Sequence, residues 1–523
     1  PDDRQELLDR VCEEVLARCV NLEPPELFTV PAEYQRPDGS SVFTRSGEAR
    51  YTHADVLAAE ERLLAATEDR TAPRADTARA TAVDLTAPVR RIDGRTVALA
   101  GDQVNAIRLI AASGRRLEVL VGPAGTGKTT TLAGLKMVWE AVHGRGTVMG
   151  LAPSSAAAAE LAEALGITCE NAAKWLHESS GPGATLRSTY LQYLTAEREA
   201  SQRSGDLRRL RTADTAANQL AGQQQHWTMR PGQLVIVDEA SLASTATLDQ
   251  LTAQASAAGA KVLVVGDHAQ LSAVDAGGAF NLLAERTHPA VLTSLWRFNH
   301  RWEAGATRAL RAGNPAVLDV YAEHDRITAG AAEAMCEAAY TAWQADTENG
   351  VPAILLAADA HTVSVLNARA HNDRVSDGLV AASGITTTDG SVIAVGDRVV
   401  TRANNRRLRT RGGYVRNGDL WTVTDTAPGG SLTVTRLTRR GEVNGDAVVL
   451  PAEYVAQNVD LAYATTTHRA QGLTVDHAHV LAAPGMTREN LYVAMTRGRQ
   501  DNRVYVAVDD VDPACNYLPD THA

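Results

Sequence analysis

The chain has 523 residues, 44% of them hydrophobic and 22% charged, with a formal net charge of −11. That length exceeds what one hydrophobic core supports and predicts about three to four domains, while the acidic balance weighs against a protein that coats nucleic acid non-specifically. No apolar run approaches the roughly eighteen residues of a membrane span, and the opening P-D-D-R-Q-E lacks a signal peptide's apolar core, so a cytoplasmic location is expected. Cys12, Cys19, Cys169, Cys336 and Cys515 are scattered and form no C-x-x-C pair, which predicts a reducing compartment and no structural zinc. The first residue is Pro, which fits a chain cut or processed from a longer one.

In chain order, Gln5–Cys19 and Thr52–Ala66 carry apolar residues at helical spacing, and the Pro- and Gly-containing stretch Glu23–Gly47 between them predicts a small hairpin. Arg70–Pro88, rich in Ala, Thr, Asp and Arg, reads as a linker, so residues 1–95 form an N-terminal helical region and linker. From Leu99 onward, short apolar runs alternate with helical segments, the pattern of a doubly wound parallel sheet.

The run Leu117–Val121 is followed by G-P-A-G-T-G-K-T-T, residues Gly122, Pro123, Ala124, Gly125, Thr126, Gly127, Lys128, Thr129 and Thr130. Strand, glycine-rich loop and helix stand in the order that a polyphosphate cradle needs. Glycines let backbone N–H groups close on the phosphates; Lys128 bridges the β- and γ-phosphates and Thr129 holds Mg²⁺. The polar segment 179–230 carries no strand pattern and reads as an insertion. Next, L-V-I-V-D-E-A-S at Leu234–Ser241 ends a buried strand in two carboxylates: Asp238 to coordinate Mg²⁺, Glu239 to polarise the attacking water. The following strand, Lys261–Val265, leads to G-D-H-A-Q, with Gln270 placed to contact the γ-phosphate.

A second α/β unit is expected over 291–383 and 455–523, with strands at Ala353–Leu356, Ala478–Leu481 and Arg503–Val508. Between them, 384–454 contains the β-prone runs Arg398–Thr401, Asp419–Thr424 and Ser431–Leu437, which predict a small inserted β-barrel. Arg402 and Arg406 belong to a basic island there, with Tyr414 interleaved, of the kind that contacts phosphates. His477 and His479 form a His-x-His pair on a strand candidate, read as two polar residues at a strand start and not as a metal site. Trp175, Trp227, Trp296 and Trp302 read as packing residues.

Taken together, these motifs resemble superfamily 1 DNA helicases, in the 5′-to-3′ RecD-like branch (superfamily 1B) that includes the helicase portion of MobF-type conjugative relaxases. The likeness covers about Leu99 to Asp509. It implies two RecA-like parallel-sheet motor domains, 96–290 and 291–383 with 455–523, an SH3-like β-barrel at 384–454, and a mainly helical N-terminal region. It further implies that Gln103 reads the adenine, that Pro153, Ser154 and Ser155 grip strand phosphates, and that Arg297 lies near the γ-phosphate. Thr466, His468 and Gln471, with Gly472, resemble the motif that couples nucleotide to single-stranded DNA, and Arg497 resembles the arginine finger. Two departures stand out: Glu170-Asn171 occupies a site where the family usually has Thr, and Arg469 stands where many relatives have Lys. The activity implied is ATP-dependent 5′-to-3′ translocation on single-stranded DNA by a monomer with Mg·ATP, in conjugative transfer. Alternatives are a RecD-type repair helicase and a catalytically silent DNA-binding module.

Overall fold

The computed structural model describes residues 2–22, 30–36, 41–42, 50–75, 77–90, 96–271, 277–411, 413–438 and 441–508. Cys515 and most of the 23–47 hairpin expectation lie outside them. Strands Ala290–Val291, Leu117–Val121, Lys261–Gly266, Leu234–Val237, Val148–Ala152 and Thr168–Asn171 form one parallel sheet in that order. Side chains alternate across it, because successive residues of a strand face opposite ways. Leu120, Ile236, Leu263 and Val265 pack under helices Gly101–Ala112, Lys128–His143 and Ser155–Leu165. Val119, Val235, Val237 and Val264 pack under Ala54–Glu68, Ala172–Ser179 and Thr245–Ala257. A sheet buried on both faces needs the continuous apolar runs seen here, and each such side chain stabilises by ~1.5–3 kcal/mol.

The second sheet, also parallel, runs Ile327–Gly330, Gly498–Ala507, Val475–Ala482, Ala353–Ala357, Ala464–Thr466. Leu355 and Ala357 face helices Ala332–Glu348 and Ala360–Ser376. Leu356, Val480 and Val504 face Arg301–Arg311, Val317–Glu323 and Arg488–Ala494. Between these strands in the chain lies a five-stranded antiparallel sheet ordered Val443–Leu450, Leu432–Leu437, Leu420–Thr426, Arg398–Thr401, Val459–Leu461, built around Trp421, Val399 and Val434. A two-stranded hairpin, Asn405–Thr410 with Gly413–Val415, stands beside it. The 179–230 segment is a pair of antiparallel helices, Pro182–Ser204 and Leu207–His226, tied by an Arg198–Asp214 ion pair at 2.6 Å.

Three expectations change. Residues 70–88 are not a free linker: Ala72 and Ala75 donate backbone hydrogen bonds to the carbonyls of Gly114 and Ala111 at 2.9 and 2.7 Å, and Ala75 and Leu85 are buried against Ile107 and Ile110. Small apolar side chains and a helical turn, Thr77–Ala82, make this docking possible. The expected boundary at 290/291 cuts a strand, since Ala290 and Val291 pair with Leu120 and Val121 of the first sheet. The insertion likewise extends past 454, because Val459–Leu461 pairs with Arg398–Thr401.

The His477 and His479 rings both bond Asp346 Oδ2, at 2.8 and 2.7 Å. The pair therefore pins the helix Ala332–Glu348 to its sheet. Trp175 is buried against Trp227, and Trp302 stacks on His324.

Helix Arg301–Arg311 seats Glu303 at 0% exposure, where Oε1 accepts a 2.7 Å bond from Asn502 Nδ2 and Oε2 has no partner. Burial pushes this carboxyl up to about 7. Between its ordinary value and about 7 the folded chain holds a proton that the unfolded chain has released. Stability from this group therefore falls as pH rises through that window. Glu303→Gln is expected to raise the melting temperature by a few degrees at pH 8 and to leave it unchanged near pH 4.5. An equal gain at both pH values would refute the assignment.

Candidate functional site

Register fixes where the chemistry gathers. Val121 pairs with Gly266, and Val237 with Val264, so the segments after three adjacent strands, Gly122–Gly127, Asp238–Glu239 and Asp267–Gln270, open at one sheet edge. This is the edge at which open α/β sheets bind ligands. Gly125 and Gly127 have φ of 88° and 74°, a backbone region that only glycine enters freely. A Cβ on Gly122 would lie 2.6 Å from Lys128 Cγ, so the lysine folds directly over the loop, with Nζ 2.9 Å from the Gly122 carbonyl. Thr129 is half-buried in the first turn of the helix. Thr126 and Thr130 are buried.

Asp238 and Glu239 follow the buried strand Leu234–Val237. Burial, and then the charge of Glu239 beside it, push the Asp238 carboxyl up to about 7 against the opposing pull of Lys128. Glu239 sits at φ 51°, ψ 40°, left-handed space that a residue with a Cβ enters only when its surroundings demand it. Its Oε2 is buried without a hydrogen-bond partner. Its Oε1 lies 4.0 Å from where a Cβ on Gly472 would stand, so this carboxylate of the first sheet reaches the loop of the second. Beside Gly472, the Gln471 Oε1 and Nε2 are also buried and unpartnered. Buried polar atoms without partners are rare in folded chains and need an explanation. Here three of them lie on two side chains, Glu239 and Gln471, brought near each other where Glu239 meets Gly472.

Two arginines approach from the far side. Asp102 Oδ2 accepts the backbone N–H groups of Thr293 and Ser294, each at 2.8 Å, and the Trp296 N–H bonds the Gly125 carbonyl at 2.8 Å. These contacts hold Arg297 against the loop, where a Cβ on Gly125 would meet Arg297 Cβ at 2.5 Å. The Arg297 Nη1 donates to the Thr496 carbonyl at 2.6 Å. The Trp296 ring stays 64% exposed beside the same loop, unlike a packing residue. Arg497 is 1% exposed, its guanidinium bonded to the carbonyls of Val493, Ala470 and Leu473 and to Thr496 Oγ1. Burial, then the neighbouring Arg297, lowers its pKa.

The other expected residues fall in different places. Gln103 is buried, with Oε1 taking the Ala100 N–H at 3.0 Å at the start of its own helix and Nε2 donating to the Thr126 carbonyl at 2.9 Å, so one end of its amide caps the helix and the other braces the loop. Gln270 Nε2 is 3.3 Å from Asp267 Oδ2. Ser154 caps the helix Ser155–Leu165 through the Ala157 N–H, Ser155 is buried, and the Pro153 carbonyl accepts from Asn171 Nδ2 at 2.7 Å. Thr466 ends its strand, with Oγ1 3.4 Å from the Arg469 N–H, and His468 is exposed. Arg402 is paired with Asp460, and Arg406 with Glu170 at 3.1 Å, so neither is an unpaired cation. Glu170 thereby bridges the first sheet to the inserted hairpin.

Sequence reasoning passed over Asp102, Asp267, Arg311 and Tyr492. Asp267 is fully buried, accepts Arg311 Nε and Nη2 at 3.0 and 2.8 Å and the Tyr492 hydroxyl at 2.9 Å. Its signal was its place, directly after a buried strand in the loop already marked for Gln270.

Residues 98–332 match the family model described as an AAA domain, and residues 461–506 the one described as a UvrD-like helicase C-terminal domain. The chain is 29% identical over 411 residues to a probable conjugal transfer protein TraA of Sinorhizobium fredii, covering 78% of this chain and 32% of that one. It is 28% identical over 473 residues to the ATP-dependent RecD2 DNA helicase of Deinococcus radiodurans, covering 87% and 55%. The chain thus spans about a third of the conjugal relative and about half of the other. A Pif1 helicase from Bacteroides in complex with ADP-AlF3 and single-stranded DNA is 17% identical, with a TM-score of 0.46 and coverage of 78% and 93%. Among the described residues, no helix is long and apolar enough to cross a membrane.

Proposed function

We propose that this chain, a superfamily 1B DNA helicase similar to the motor portion of conjugal relaxases, couples ATP hydrolysis to 5′-to-3′ movement along single-stranded DNA in plasmid transfer. The observation that carries the reading is the unpartnered Glu239 Oε2, buried beside Asp238 at the loop edge, on a side chain that reaches Gly472 in the loop after a strand of the second sheet. The two parallel sheets act as RecA-like motor domains, the antiparallel sheet as an SH3-like insertion near the DNA path, and the N-terminal helices as a docked accessory region. The protein works in the cytoplasm, as a monomer on its strand.

ATP is the substrate. Backbone N–H groups of 122–130 cradle its phosphates, and Lys128 bridges the β- and γ-phosphates. Glu239 accepts the proton of the attacking water, while Arg297 and Arg497 neutralise charge building on the transferred phosphoryl. The Thr129 hydroxyl and the Asp238 carboxylate would hold Mg²⁺, which supplies further neutralisation of the phosphates. Gln103, whose amide oxygen and nitrogen are bonded to Ala100 and Thr126, would read the adenine only by exchanging one of those bonds, and Gln270 senses the γ-phosphate. Pro153, Ser154, Ser155, Thr466, His468 and Gln471 contact the strand, with Arg402 and Arg406 available once their carboxylate partners yield to phosphate. Closing the cleft on ATP and reopening it after hydrolysis shifts the two sheets between states, which advances the strand.

ATP hydrolysis with and without single-stranded DNA, and unwinding of duplexes tailed at either end, test this. The expected result is DNA-stimulated hydrolysis and unwinding from the 5′ tail alone. DNA binding without hydrolysis would leave a silent binding module.

A further inference from the structure

Asp267 follows a strand of the first sheet, while Arg311 and Tyr492, which bond its carboxylate, belong to helices packed on the second. Arg311 closes helix Arg301–Arg311 and Tyr492 lies on helix Arg488–Ala494, both packed on the second sheet. The Tyr492 side chain is fully buried. Its oxygen accepts the backbone N–H of Ala124, within the phosphate loop, at 3.3 Å, and its proton goes to Asp267 Oδ2 at 2.9 Å. A phenol has one proton to give and lone pairs to accept with, so one hydroxyl joins the loop to a carboxylate held by Arg311.

The same helix leads into Thr496, whose carbonyl takes Arg297, and Arg497, whose guanidinium holds the carbonyls of Ala470 and Leu473 on either side of Gln471 and Gly472. A displacement of the 466–473 segment therefore reaches the phosphate loop by way of the Arg497 hydrogen bonds, the backbone of helix Arg488–Ala494 and the Tyr492 hydroxyl. We propose that Tyr492 is a positioning residue that carries the position of the 466–473 segment to the Ala124 backbone, and so sets the response of hydrolysis to DNA. This rests on the helicase reading above and names a coupling residue within it.

The test is Tyr492→Phe, nearly isosteric, with Arg311→Lys and the double variant. Hydrolysis is measured across ATP concentrations with and without single-stranded DNA, alongside melting temperature. The expected result is an about tenfold lower DNA-stimulated kcat, the scale of losing a hydrogen bond to a charged group, with KM for ATP moved less than about threefold. The double variant loses no more than the worse single one, as members of one chain should. Should the parent respond to DNA while Tyr492→Phe stays within twofold of it, the proposal fails and the helicase reading stands. It fails too if basal and stimulated rates fall by the same factor, because the role is then structural. A parent indifferent to DNA would overturn the helicase reading itself.

Discussion

Glu239→Gln is expected to lower steady-state ATP hydrolysis by ~10³-fold, within the range that a positioned general base contributes, and to leave nucleotide binding in place. Gln keeps the volume and one acceptor but cannot take a proton. The carboxylate is held in left-handed backbone space at φ 51°, a strain of about 1–3 kcal/mol that persists only where the surroundings over-determine it. A residue serving only as a helix cap has no reason to carry that cost, and Glu239 makes no side-chain cap bond. Titrating a fluorescent ATP analogue alongside the rate separates the two roles: affinity within about threefold with hydrolysis nearly lost supports the base. Retention of more than a tenth of the parent rate would refute it, and loss of affinity in proportion to rate would make Glu239 a binding residue.

Both sheets and the carboxylate pair were legible because each depends on local pattern. An apolar run that ends in a polar turn predicts a buried strand, and L-V-I-V-D-E states the strand and the carboxylates at its end together. What escaped was set by long-range pairing. Residues 70–88 look like a linker by composition, yet two of their N–H groups find carbonyls at a helix end. The unit boundary drawn between Ala290 and Val291 splits a two-residue strand too short to show a period, and only its pairing with Leu120 and Val121 decides its sheet. The arginine island read as a phosphate track from its charge density. Its pairing of Arg406 with Glu170, 236 positions away in the chain, has no local signature. Tyr492 carried none either, since a Tyr in a helix that also holds Leu491 and Val493 is indistinguishable from core until the loop's Ala124 is found above it.

Arg297→Ala and Arg497→Ala are expected to fail in different ways, although both residues approach the same cleft. Arg297 donates one hydrogen bond, 2.6 Å to the Thr496 carbonyl, and is half-buried beside the loop. Its removal leaves the fold intact and lowers kcat by ~10³-fold, the lower end of what a charge on the transferred phosphoryl is worth. Arg497 instead satisfies three backbone carbonyls from a fully buried position. Its truncation strands those acceptors, and each lost bond costs about 1 kcal/mol or more, so Arg497→Ala lowers the melting temperature by several degrees as well as the rate. The half-buried Arg297 disfavours the charge of its buried neighbour Arg497, and an anion beside them relieves that repulsion. Excess Mg·ATP should therefore raise the melting temperature of the parent more than that of Arg297→Ala. Calorimetry with and without nucleotide decides it: equal shifts in parent and variant would mean that Arg297 does not face the phosphates.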